Sequence, residues 1–130
     1  MSGRSHVKTF RSCEGSVPEA RHHVEGLLHT WQLSHLTEVA ILITSELTTN
    51  AVRHAQGAGN RFELALCHRG GIVTLEISDP IAWLVPKMRT PADDDSDGRG
   101  LLLVDALASN WGVRARGAGK TVWAELAVRG

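Results

Sequence analysis

The chain has 130 residues, 42% of them apolar and 22% charged, a balance that supports one folded core and argues against disorder, collagen-like repeats and coiled coil. Fourteen Lys and Arg residues match fourteen Asp and Glu residues, so no global basic field recommends nucleic acid or an anionic membrane as partner. There is no apolar run of the roughly 18 residues that a membrane span needs, and residues 1–15 lack the apolar stretch of a secretory signal; the expectation is a single cytoplasmic domain over residues 1–130.

In chain order, Val7–Phe10 is a short β-prone segment that can open a sheet as an edge strand. Ser16, Pro18 and Glu19 read as a helix start, with Ser16 as cap and Glu19 completing a capping box. The helix is predicted to run to Trp31, because Val24, Leu27, Leu28 and Trp31 fall on one face. A longer helix is predicted from Leu36 to Ala55, a stretch without Gly or Pro in which Leu36, Val39, Ala40, Ile43, Leu47 and Ala51 recur at three- and four-residue steps. Arg61–His68 and Ile72–Asp79 flank Arg69-Gly70-Gly71 as a hairpin. About twenty residues follow with no periodic element, then a third helix over Leu101–Asn110. Trp111–Arg116 and Thr121–Val128 make a second hairpin. This order predicts an α+β sandwich, with one mainly antiparallel sheet and three helices on one face.

Cys13 and Cys67 fit no zinc spacing and read as reduced, partly buried thiols, and His22, His23 and His29 read as surface histidines because no acid or cysteine set completes a metal site. Other residues gather chemistry. Glu46 and Asn50 stand one helical turn apart on one face, with Arg53 three residues further. An amide oxygen suits Mg²⁺, which takes hard oxygen ligands and keeps several waters, and a guanidinium suits a phosphate. The same three residues also fit a solvated helix face carrying a Glu–Arg pair.

Asp79 shares strand parity with Val73, Leu75 and Ile77, so a carboxylate ends the apolar face. Such a group can accept a hydrogen bond from an adenine amino group, or merely begin the turn at Pro80. Gly98, Arg99 and Gly100 precede Leu101 at a predicted helix start, where free N–H groups and the helix dipole favour a di- or triphosphate. Thr121 begins the last strand, where its hydroxyl can bond a base or a trapped water.

Taken together, these segments resemble the GHKL ATPase and kinase superfamily, and within it the small anti-sigma-factor serine kinases. Ser45–Ala55 resembles the N box, Ile77-Ser78-Asp79 the start of the first glycine box and Gly98-Arg99-Gly100-Leu101 the second, with Lys120-Thr121-Val122-Trp123 near the end. The resemblance implies a Bergerat-type two-layer sandwich that binds ATP with Mg²⁺. It implies Asn50 as metal ligand, Glu46 as the catalytic carboxylate that polarises water or a substrate hydroxyl, and Arg53 as a phosphate neighbour. It further implies Asp79 as the adenine-reading carboxylate, Gly98 to Leu101 as part of the nucleotide site, Thr121 near the base, and an ATP lid over about 80–99. One departure is plain: the family's Asp-x-Gly-x-Gly is here Asp79-Pro80-Ile81-Ala82.

Two activities agree with this resemblance. One is phosphorylation of a Ser or Thr on a small anti-anti-sigma-type partner. The other is nucleotide-gated sequestration of a sigma factor or another protein without catalysis. A homodimer is compatible with the resemblance, although no segment stands out as its interface.

Overall fold

The protein is described by a computed structural model covering residues 3–54, 61–79, 102–116 and 119–128. Strand β1 (Arg4–Arg11) leads to helix α1 (Ser16–Thr30), a 3₁₀ turn (Ser34–Leu36) and helix α2 (Thr37–His54). Strands β2 (Arg61–Arg69) and β3 (Ile72–Asp79), a helix α3 described over 102–107, and strands β4 (Asn110–Arg116) and β5 (Gly119–Ala127) complete the order.

Helix α1 starts differently from its expected capping box. Ser16 is already helical and buried, Gly15 holds the cap position, and no side chain caps the helix. The preceding turn takes up part of that role: the N–H groups of Ser16 and Val17 donate to the carbonyls of Cys13 and Glu14 at 3.0 and 3.1 Å. The other end closes as a Schellman motif. Gln32 N–H donates to His29 O at 3.0 Å and Leu33 N–H to Leu28 O at 2.7 Å, while Leu28 and Leu33 are both buried. Gln32 itself adopts φ +62°, a left-handed conformation usually left to glycine.

The five strands form one sheet in the order β1-β2-β3-β5-β4, with every neighbouring pair antiparallel. Gly70, at φ +64°, opens the two-residue turn between β2 and β3, where a left-handed first position matches the twist of the strands. The second hairpin joins the first through β5 rather than β4, so β3 and β5 are interior strands and β1 and β4 are edges. Helix α3 stops at residue 107, short of the expected Asn110. The reason is a competing acceptor, since Ser109 N–H and Oγ both donate to Glu125 O on β5, at 2.8 and 3.0 Å, and the chain turns into β4.

One core lies between the helices and one sheet face. Val24 and Leu28 of α1, Ile43 and Leu47 of α2 and Val104 of α3 meet Phe62, Leu64, Leu66, Val73, Leu75, Ile77, Ala124 and Leu126, all 5% exposed or less. Alternate residues of β2, β3 and β5 therefore face the helices, and burying each large aliphatic side chain contributes roughly 1.5–3 kcal/mol. This is the expected α+β sandwich. Helix α2 packs on β3 and β5, and its last turns lie beside the chain that leaves β1, at the sheet end that the register of β1, β2 and β3 shares with Asp79.

Candidate functional site

Two stripes run along α2. Ala40, Ile43, Thr44, Leu47, Thr48 and Ala51 form the core stripe, all 5% exposed or less. Thr48 fits there because its Oγ1 donates to Thr44 O within the helix at 2.7 Å, so the hydroxyl is satisfied without water. Glu46 and Asn50 lie on the adjoining stripe at the edge of the core, both half-buried, and Arg53 follows, exposed. The structure thus keeps a carboxylate, an amide and a guanidinium in line at the boundary between the core and solvent. On the opposite flank, Arg21 of α1 donates to Ser45 Oγ at 3.3 Å and ties the two helices together.

Asp79 is 3% exposed and faces the helices, as its parity with Val73, Leu75 and Ile77 predicts. Thr121 is 1% exposed but points the other way. It pairs with Ser78 in the ladder, and the two hydroxyl oxygens lie 2.8 Å apart. The residue opposite Asp79 is Lys120, half-buried. Sequence reasoning passed over Lys120, although a signal was present: Lys120 has the parity of Val122, Ala124 and Leu126, the apolar face of β5.

A cavity of about 670 Å³ opens between the β1–α1 connection and the last turns of α2. Ser12, Cys13, Glu14 and Val17 line one wall, and Thr49, Val52 and Arg53 the other. Of the predicted site residues among those described, only Arg53 reaches this wall. The Cys13 thiol is held below its ordinary range, chiefly by its hydrogen bond with Ser16 Oγ at 3.4 Å and further by the N–H groups of Ser16 and Gly15 and by Arg11, against a smaller opposing effect of burial.

Gly98, Arg99, Gly100 and Leu101, like the expected lid at 80–99, lie outside the described residues. Among the described residues, no group of three or more His, Cys, Asp and Glu comes together to hold a metal, and no helix is long and apolar enough to cross a membrane.

Known proteins agree with this architecture. The family model described as the histidine kinase-like ATPase domain matches residues 10–126, which include α1, α2 and both hairpins up to Leu126. No curated protein sequence matches the chain. A crystal structure of the RsbU and RsbW domains of Rv1364c from Mycobacterium tuberculosis is similar at a TM-score of 0.73 and 18% identity. That match covers 95% of this chain and 32% of the other, so this chain spans about a third of the length of that relative.

Proposed function

The chain belongs to the histidine kinase-like ATPase domain family, and from that premise we propose that it binds Mg-ATP and transfers the γ-phosphoryl group to a Ser or Thr hydroxyl of a small anti-anti-sigma-type protein. The observation that carries this reading is the stripe of Glu46, Asn50 and Arg53 along the edge of the core on α2, on the same side of the sheet as buried Asp79. In this reading Asn50 supplies one carbonyl oxygen to Mg²⁺, and Arg53 meets a phosphate. The donor set fits such an ion. A single neutral oxygen ligand leaves the other positions to water and to the nucleotide's own phosphates, and the ion supplies charge neutralisation there.

Glu46 stands one turn from Asn50 and takes the proton of the attacking hydroxyl as the new O–P bond forms and the bond to the β-phosphate oxygen breaks, leaving ADP. Asp79 accepts a hydrogen bond from the exocyclic amino group of adenine, with Ile77 at its side as part of an apolar wall. Gly98, Arg99, Gly100 and Leu101 are assigned to the phosphates, and Thr121 to the strand beside the base, where it holds Ser78. A homodimer is part of the same proposal.

The test is titration calorimetry with ATP, ADP and GTP, with and without Mg²⁺. Adenine-selective binding that strengthens with Mg²⁺ is expected, and Asn50→Ala should lose the Mg²⁺ effect; equal affinity for ATP and GTP, or no binding, overturns the reading. Glu46→Ala should retain ATP and transfer no radioactive phosphate to a partner.

A second reading is a regulator that uses ATP as a conformational ligand and sequesters a sigma factor or another protein without phosphorylating it. Pro80-Ile81-Ala82 after Asp79, where the family carries glycine, favours it. It predicts that Glu46→Ala leaves partner capture in ATP unchanged, with no phosphate found on the partner of the native protein.

A further inference from the structure

Residues opposed in an antiparallel ladder project to the same face of the sheet, with Cβ atoms about 4.5–5.5 Å apart. In the ladder between β3 and β5 these rungs are Ile77 with Val122, Ser78 with Thr121, and Asp79 with Lys120. Ser78 and Thr121 satisfy each other on the face away from the helices. On the helix-covered face the strand end therefore carries a carboxylate opposite an ammonium, next to the apolar rung of Ile77 and Val122. Both Asp79 and Lys120 have polar or electrostatic interactions in the fold.

We propose that Lys120 is a positioning and specificity-determining residue of the base site, its ammonium compensating the charge of Asp79 so that this carboxylate meets the base as a pure hydrogen-bond acceptor. The proposal rests on the ATP reading given above. Its physical basis is the burial of Asp79, at 3% exposure. A carboxylate removed from water remains charged only where a cation or several donors compensate it. Lysine offers three donors and no acceptor, so it can serve a carboxylate oxygen without competing for the amino group of the base. Its four-carbon stem can lie along the apolar face while the charged end reaches the rim.

Base choice follows from this arrangement. An ionised carboxylate accepts from the adenine amino group and opposes the guanine O6, which is itself an acceptor. A carboxyl that has picked up a proton can donate to O6, and the discrimination is lost. Lys120 thereby sets the selectivity without itself being the group that reads the base.

The experiment is a double-mutant cycle on the full chain, read as ATP and GTP affinity by calorimetry. Lys120→Met should weaken ATP binding at least about tenfold and bring the ATP-to-GTP preference close to unity, whereas Lys120→Arg should keep both within about threefold of the native protein. In an Asp79→Asn background the charge to be compensated is gone, so adding Lys120→Met should change ATP affinity by no more than about twofold. Additive losses, or a Lys120→Met protein with native affinity and selectivity, overturn the role of Lys120 and leave the ATP reading standing. Absence of ATP binding by the native protein overturns both. Should Lys120→Met fail to fold, Lys120→Gln carries the same expectation, and circular dichroism identifies which variants are folded.

Discussion

His23 has an environment different from the one its sequence neighbourhood promised. It reads as a surface histidine, yet α1 turns it onto β1, where its ring lies 4.9 Å from His6 and 6.0 Å from Phe10. Its Nε2 is buried with no hydrogen-bond partner among the described residues. Burial, and then the positive charge of His6 and Lys8, lower its pKa below 6.5. The folded state thus prefers neutral His23, and the unfolded chain binds its proton more readily. The sign follows: this contribution to stability is fully present above pH 6.5 and is lost as pH falls through the lowered folded value. Thermal melts taken from pH 8 to pH 5 should show Tm falling below about pH 6.5, and His23→Gln should flatten that part of the curve. An unchanged slope in His23→Gln would assign the acid sensitivity to other groups.

At the level of the element, the ends of helices obey hydrogen-bond accounting more than sequence signatures. The Ser16–Glu19 pattern suggests a capping box, but the turn at Cys13–Gly15 supplies the acceptors and Ser16 is drawn into the helix. At the far end a glutamine does what glycine usually does. A left-handed non-glycine residue costs roughly 1–2 kcal/mol, so Gln32→Gly should stabilise the protein by about 1 kcal/mol once the extra chain entropy of glycine is deducted. Urea denaturation measures this directly; a destabilised Gln32→Gly protein would mean that the Gln32 side chain contributes more than its backbone costs. Helix α3 illustrates the same accounting, because Glu125 O, supplied by a strand distant in sequence, ends it ahead of the length that its apolar spacing allows.

At the scale of the molecule, the β3–β5 pairing unites two hairpins into one sheet and one core. Leu75 sits at its centre, opposite Leu66 on β2 and Ala124 on β5, at 2% exposure. Leu75→Ala should therefore cost about 2–5 kcal/mol, read as a lower urea midpoint with an unchanged slope. A loss under 1 kcal/mol would mean that the two hairpins do not share their core in the way this sheet requires. The same pairing builds the candidate site, since it sets Asp79 at the end of an interior strand with β5 beside it and α2 above.

The sequence by itself determined the helix periodicity, both hairpins, the α+β class and the direction of Asp79, because apolar residues recur at 3.6 in α2 and at 2 in β3, and those periods fix which side chains share a face. It also carried Glu46, Asn50 and Arg53 as a set, since residues on one helix keep their spacing however the helix is packed. Only the tertiary structure decided that β3 pairs with β5, that Thr121 turns to Ser78, and that Lys120 stands opposite Asp79. Strand order and register are pairings between segments far apart in the chain, settled by burying one common face, and local patterns carry no direct record of them.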